Sequence, residues 1–524
     1  MTTPTTAAAP STPVHGPAPG RLRRLLGPVW AHPAKGLAVA VAVTALWAVA
    51  VGVWTPRGPL TAAQAVATMA ISLVIGVAAG LLMRSRWALA TAPVAFTVVF
   101  ELTRFGTDGP LVDGMHSSLY GLIAFVAGRG FHGLLALAPM VLGAAVGAGV
   151  TRRMSPHPHR RSARLPVPYS AGVQVRRGAT VLTAVGLLAL AGLVLKPATT
   201  AGILGADGEP LPGSVAELVE VGVGGRDLRL MIRGNSVEQP VLLFLAGGPG
   251  GSELGAMRRH LQALERHFVV VTWDQRGSGR SYPELEPTST LTLDGAVDDT
   301  VEVTRYLRDR FDEDRVYLVG QSWGSLLGVL AVQQSPDLYE AFVGIGQMVS
   351  PRETDVAFYR DTLAWARTSG DDALVATLVR SGPPPYDDVL DYEAALSHEK
   401  DVYPYDHGRN SEGVGGFSEN ILVEEYSLID KVHAFAGFLD TFTVLYPQLQ
   451  DVDLRSQASV LQVPVYLVEG RHETPARADL AREWFQQLRA PTKQLVVADT
   501  SGHRALFEQP NRFVDLMTTI SRTR

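Results

Sequence analysis

Cysteine is absent from all 524 residues, so no disulfide braces the chain and any folded domain must be held by its own core. Charged residues are sparse, at 19%. Acidic side chains are nearly missing from the first 204 positions, where only Glu101, Asp108 and Asp113 occur. Long apolar runs are missing from the other end, with none after Lys196. These gaps divide the chain into two electrostatically different parts. Through residue 204 the net charge is +14, and the remaining 320 residues carry −19.

What fills the first part is apolar. A mean hydropathy of +0.12 is high for a wholly soluble chain. Runs of near-spanning length occur at 36–54, 62–83, 87–103, 131–150 and 179–195. Two of them have only 17 residues, short enough for buried core helices, but five in series do not fit one cleaved leader. The shorter segment 117–128 reads as a re-entrant or interfacial piece. Basic residues gather in the N-terminal tail, in "RSR" at 84–86, and in the 151–177 loop, which includes Arg160, Arg161 and Arg164. In a five-helix reading those are alternate loops, so the positive-inside rule places the N-terminus in the cytoplasm and everything after Lys196 outside. The expected organisation is a disordered cytoplasmic tail (1–35, its first 20 residues rich in Pro, Ala and Thr), an all-α transmembrane region (36–200), and an extracytoplasmic domain (205–524).

That last domain alternates strand and helix patterns. "VAELVEVGVGGRDLRLMIRG" (215–234) has period-2 alternation on both sides of Gly224-Gly225, a hairpin signature. Short apolar runs follow at 240–246, 267–273, 315–320, 340–346, 463–468 and 493–499, each the length of a strand buried on both faces. Between them lie helical patterns such as 293–311, where Val297, Val301, Thr304, Leu307 and Phe311 share one face. The expectation is an α/β domain, a mostly parallel sheet with helices on both faces and its site at the carboxyl edge of the strands. Residues 351–455 break the alternation and read as an inserted helical cap.

The motifs sit at that edge. Gly320-Gln321-Ser322-Trp323-Gly324 stands between a strand and an apolar helix, the setting in which a sharp turn presents a nucleophilic serine. A serine hydroxyl needs a base, and the base needs an acid to fix its tautomer; on such a sheet the order is nucleophile, acid, base. His503 follows the last strand pattern in "DTSGHRA". "VEGRHETP" (468–475) follows the strand before it, and Glu473 is the preferred acid, with Asp499 and Glu469 as alternates. His472 competes as base but lies on the wrong loop. "FLAGGPGGS" (244–252) leaves the third strand, and its Gly248 N–H with that of Trp323 would form the oxyanion-binding pair.

In this order "GGPGG", "DQRGSGRS" (274–281), "GQSWGS", "GRHE" and "SGH" resemble the proline iminopeptidase family of α/β-hydrolases, over about 240–350 and 460–515. The resemblance implies an α/β-hydrolase fold, with nucleophile, acid and base at Ser322, Glu473 and His503. It also implies a supporting role for Asp274 and Arg276, and cap carboxylates that hold the substrate's free amine, for which Glu424 and Glu425 are the candidates. The chain departs from the family in two places: glutamate stands where aspartate is usual, and Ala246 where a histidine often precedes "GGPG".

The leading expectation is therefore a membrane-anchored serine hydrolase that removes N-terminal residues, proline among them, from short peptides. An ester hydrolase with the same triad is the alternative within enzymes. A non-catalytic membrane sensor or binding module is the alternative of another class, weakened by the full triad and by Glu101 as the chief intramembrane charge. The implied partners are a small peptide or ester and the lipid bilayer; neither nucleic acid nor a cofactor or metal is implied.

Overall fold

A computed structural model of the chain describes residues 21–107, 116, 118–154, 171–405 and 416–522. The tail of residues 1–20 and Arg160, Arg161 and Arg164 lie outside the described residues. Contacts divide the chain into two compact units. One holds residues up to Pro56, Ala67–Phe105 and Leu135–Leu188; the other holds Arg57–Val66, Gly106–Leu134 and Ala189–Arg524.

The first unit is helical. Among the described residues four helices, three of them with an end in the second unit, have the length and composition to cross a membrane: Pro33–Trp54, Ala62–Met83, Leu119–Arg152 and Gln174–Leu195. The apolar helix Ala88–Thr103 is shorter, at 16 residues. Glycines set the closest approach between two of these helices. A Cβ on Gly76 or Gly80 would stand 2.0 or 2.4 Å from the carbonyls of Met140 and Ala144, and one on Gly143 or Gly147 would meet those of Leu73 and Val77. Two reciprocal GxxxG faces thus let the backbones touch and gain dispersion contacts. The segment at 117–128 is not separate from the fourth run. Leu119–Phe125, a π-helical turn at Val126–Gly130, and Phe131–Met154 run on end to end.

The second unit is built on an eight-stranded sheet of order β1-β2-β4-β3-β5-β6-β7-β8. Its strands are β1 (Val215–Val223), β2 (Arg226–Gly234), β3 (Val241–Leu245), β4 (Val269–Asp274), β5 (Val316–Gln321), β6 (Tyr339–Ile345), β7 (Val465–Gly470) and β8 (Lys493–Ala498). β1 and β2 form the expected hairpin, closed by Val223 opposite Arg226 with Gly224 and Gly225 at φ 57° and 76°. β2 is antiparallel to β4, and every later pairing is parallel. Alternate residues feed two cores. Val241, Leu243 and Leu245 join Val271, Leu318 and Trp323 on one face, while Leu242 and Phe244 join Tyr317, Val319 and Phe507 on the other. The Leu293–Phe311 helix starts where Thr292 Oγ1 accepts the Gly295 N–H, and it buries Val297, Val301, Thr304 and Leu307.

The cap lies between β6 and β7 and includes the helices Pro351–Ser369, Asp372–Ser381 and Leu428–Leu445. Two segments from between the apolar helices join it. Arg57 reaches the fully buried Asp440 at 2.5 Å and Glu286 at 2.7 Å, and the Tyr282 hydroxyl donates to the same Asp440 oxygen at 2.9 Å. Glu393 accepts the N–H groups of Leu119 and Tyr120 at 3.1 and 3.2 Å, capping the helix that begins there.

Candidate active site

At the end of β5 the backbone turns directly into the Trp323–Gln334 helix, and Ser322 takes φ 52° and ψ −117°. A non-glycine residue rarely adopts a positive φ, and such strain persists only where the surroundings over-determine it. They do here: a Cβ on Gly320 would sit 2.2 Å from the Gly324 carbonyl oxygen, and one on Gly324 would sit 2.1 Å from that of Leu245. The two glycines are therefore the only room the turn has. The Ser322 N–H donates to the Ile345 carbonyl at 2.9 Å, fixing the turn against β6.

β3 runs parallel to β5 with Leu245 opposite Gly320, so the loop that leaves it arrives beside Ser322. Gly248 has φ 135° and Gly250 φ 85°. A Cβ on Gly250 would come within 2.8 Å of the Gly437 and Phe438 carbonyls of the cap. The Gly247 N–H donates to Glu253 at 3.0 Å. For the N–H groups of Gly248 and Trp323 there is no acceptor among the hydrogen bonds of the described residues. Gln275 ties the two strand ends together, accepting from Trp323 Nε1 at 2.9 Å and donating to the Ala246 carbonyl at 3.3 Å.

The loops after β7 and β8 meet at the same edge, and a Cβ on Gly470 would lie 2.1 Å from the Gly502 carbonyl oxygen. Glu473 Oε2 lies 2.5 Å from His503 Nδ1, while Oε1 accepts the Thr474 N–H at 2.7 Å. Burial would raise the Glu473 carboxyl, but the His503 charge and hydrogen bond, helped by Arg477, outweigh it and hold the group at about 2. In the neutral imidazole a carboxylate on Nδ1 favours the proton there and leaves Nε2 as the acceptor. His503 is itself held beside the serine turn. Gln321 donates to its carbonyl at 3.4 Å, and a Cβ on Gly346, at the end of β6, would stand 2.9 Å from its Nδ1.

The alternate acids have other partners. Asp499 is exposed and paired with Arg471 and Arg512. Glu469 is buried at the end of β7, where it accepts the Gln347 N–H at 3.0 Å. Burial, then the neighbouring Glu473 charge, pushes its carboxyl up to about 8, so at neutral pH one carboxyl of this pair is charged and the other is not. His472 stacks on Tyr405 with ring centres 6.2 Å apart.

The cap carboxylates are placed otherwise than the resemblance implies. Glu425 binds Arg258 at 3.0 Å and the Thr200 hydroxyl at 2.9 Å, and the Glu424 carbonyl accepts the Thr199 N–H. Both line a depression with Arg258 and Arg259 and help hold the 199–201 linker, Glu425 buried in its ion pair and Glu424 exposed. For Glu425 the basic partner, Arg258, comes from a distant stretch of chain. Asp274 and Arg276 act as supports. Asp274 accepts from the Ser252 and Tyr426 hydroxyls at 2.6 Å each and joins the glycine loop to the cap, while Arg276 donates to the carbonyls of Glu284 and Thr290. Sequence reasoning missed Glu253, Gln275 and Arg504. Arg504, next to His503, reaches Glu253 at 3.3 Å and so couples the His503 loop to the glycine loop. Among the described residues no cluster of His, Asp and Glu could hold a metal ion.

A parallel sheet carrying a strained serine at a strand-to-helix turn, with a His–Glu pair on the two loops beyond, defines the class, and the alpha/beta hydrolase fold profile matches residues 240–510. The chain belongs to the α/β-hydrolase family and is a hydrolase. It is 30% identical over 318 residues to the "Probable aminopeptidase YbaC" of Bacillus subtilis, covering 60% of this chain and 98% of that protein. It is 24% identical over 287 residues to the proline iminopeptidase of Xylella fastidiosa, covering 53% and 87%. Among solved structures, the proline iminopeptidase of Mycobacterium smegmatis matches with a TM-score of 0.43 at 18% identity, covering 58% and 98%.

Proposed function

We propose that the protein is a membrane-anchored serine aminopeptidase that releases N-terminal residues from short peptides on the outer side of the membrane. The observation that carries the catalytic part is the buried Glu473–His503 pair at the edge where Ser322 is presented. In this reading His503 Nε2 takes the Ser322 proton as Oγ adds to the scissile carbonyl. The oxygen that becomes negative is met by the N–H groups of Gly248 and Trp323. Collapse breaks the C–N bond, His503 hands its proton to the departing amine, and the acyl group stays on Ser322. Water, deprotonated by His503, then hydrolyses that ester and restores the serine. Relatives named as a probable aminopeptidase and a proline iminopeptidase favour a peptide over an ester.

Two observations support the anchor and its orientation. The helices that could span are joined by a basic turn at Arg84 and Arg86, and further arginines cluster at 152–177. In a five-span reading the segments on the hydrolase side are 55–61 and 104–130. The segments that group with the hydrolase unit are Arg57–Val66 and Gly106–Leu134.

The test is a fluorophosphonate probe on the full chain, with the expectation that it labels the protein and that Ser322→Ala abolishes labelling. Persistent labelling of that variant removes the serine assignment. A panel of proline-arylamide, other aminoacyl-arylamide, N-blocked peptide and short-chain ester substrates then fixes the class. Faster turnover of esters or blocked peptides would overturn the aminopeptidase reading. Protease shaving of intact cells should digest the hydrolase unit, and its protection would overturn the orientation.

A further inference from the structure

Within the hydrolase unit a cavity of about 380 Å³ opens between the Leu119–Phe125 helix and the cap. Its walls are Tyr120 and Ile123 from that helix, Leu390 from the cap connection, and Phe435, Phe438 and Phe442 from the Leu428–Leu445 helix. Among the described residues one charged side chain lies on the wall, Glu393, and its oxygens accept the Leu119 and Tyr120 N–H groups. A space of this size, within the roughly 300–1,000 Å³ of small-molecule sites, therefore offers a ligand apolar contact and almost no polar anchoring.

The wall helix carries the argument further. While Tyr120 and Ile123 line the cavity, Leu119, Leu122 and Val126 are 61%, 56% and 57% exposed on another face. A helix with apolar residues both outward and inward suits an apolar medium outside. The continuous helix from Leu119 to Arg152 has 34 residues. About 20 suffice for a bilayer's hydrocarbon core, so roughly 14 are surplus. The stretch that groups with the hydrolase unit, Gly106–Leu134, contains that surplus. Leu119–Phe125 would then lie at the lipid interface as a thin partition between bilayer and cavity.

We infer that this cavity takes the hydrocarbon chain of a bilayer amphiphile, entering past the Leu119–Phe125 helix. The inference rests on the membrane reading above and not on the peptidase assignment. It has a bearing on the site, because the carbonyls of Gly437 and Phe438 abut Gly250 of the glycine loop while Phe438 also lines the cavity. One turn of one helix touches both, so an amphiphile lodged there would be held next to the catalytic edge.

The experiment reconstitutes the full chain in dioleoylphosphatidylcholine vesicles doped with a phosphatidylcholine whose acyl chain carries a diazirine; after irradiation, adducts are mapped by mass spectrometry. Adducts are expected on the peptides containing Tyr120–Ile123 and Phe435–Phe442. Ile123→Trp and Leu390→Trp, which fill the cavity, should lower them about tenfold. The Ala171–Leu195 helix, with Leu182 and Leu188 each 74% exposed, serves as an internal reference that labels equally in all variants. Adducts on that helix but none at the cavity would overturn the inference, and so would cavity adducts that persist in a filled variant still labelled by fluorophosphonate. The map of the unaltered chain decides even where a variant fails to fold. Absence of adducts on the reference helix would remove the membrane reading and this inference with it, leaving the peptidase assignment to its own test.

Discussion

His503 Nδ1 and Glu473 Oε2 stand 2.5 Å apart, with the Glu473 side chain wholly buried. Its other oxygen is held by the Thr474 N–H, so the carboxylate cannot swing away without breaking two hydrogen bonds. Glu473→Gln keeps the shape but presents an amide that can turn its NH₂ to Nδ1 and favour the wrong tautomer. The expected result is a kcat on proline- or aminoacyl-arylamides lower by about 10³–10⁴-fold in a chain that still folds cooperatively, with a lower unfolding midpoint at neutral pH because the pairing with His503 is lost. Activity within tenfold of the parent would take Glu473 out of the role.

Glu473→Asp asks whether the longer side chain is needed. The loops after β7 and β8 are fixed by the contact of Gly470 with the Gly502 carbonyl, so they cannot close the gap left by one methylene. A misplacement of about 1 Å predicts a kcat loss of about 100-fold, with KM little changed. Equal activity of the two acids would show that the loops move more freely than this contact allows.

Glu469 and Glu473 impose opposite pH dependences on folding. Glu469 is raised from 4.5 to about 8, so the folded chain keeps a proton that the unfolded chain releases. Its contribution is full below pH 4.5 and is lost as pH rises to about 8, at up to about 1.4 kcal/mol per unit. Glu473 is lowered to about 2, so its contribution is present above pH 4.5 and is lost as pH falls towards 2. In urea unfolding at pH 5 and pH 8, Glu469→Gln should lose less stability between the two values than the parent, by ~1–3 kcal/mol. Parallel losses would contradict a neutral Glu469.

Gly324→Ala should be among the most damaging single-methyl changes in the hydrolase unit. The added carbon would lie 2.1 Å from the Leu245 carbonyl oxygen, a backbone atom of a central strand that has no room to retreat. We expect a destabilisation of ~2–4 kcal/mol and loss of fluorophosphonate labelling together. Labelling at the parental rate would mean that the serine turn tolerates a displaced β3.

Arg57→Ala removes the guanidinium 2.5 Å from the buried Asp440. Hydrogen exchange in the Leu428–Leu445 helix should report an opening free energy lower by ~3–5 kcal/mol, with Arg57→Ala/Asp440→Asn recovering part of it. Additive losses in the double variant would show that the two residues do not act as a pair.

The sheet was legible in the sequence because strands buried on both faces are written as unbroken apolar runs. All six of the later runs became strands, with ends displaced by at most two residues. The serine turn was legible for a related reason: Gly320 and Gly324 are demanded by backbone contacts, so the composition there is a direct imprint of geometry. The roles of charged cap residues were not legible. A carboxylate's role depends on its partner, and Glu425 finds Arg258 167 positions away. Glu469 was hidden for another reason, since no feature of the letters shows that burial beside Glu473 keeps it protonated. Nor does a hydropathy run show that the segments flanking its helices would group with the hydrolase rather than with the helices.

The Arg57–Asp440 bridge also limits how the chain can be cut and engineered. A hydrolase hung from an interchangeable tether could be cut free or moved to another anchor without loss. Here a soluble fragment beginning near residue 205 would lack the arginine that faces a fully buried cap carboxylate, and also the segment whose N–H groups Glu393 receives. The hydrolase unit is thus completed by stretches of chain that lie between the apolar helices in sequence, and a cut after those helices removes part of the unit itself.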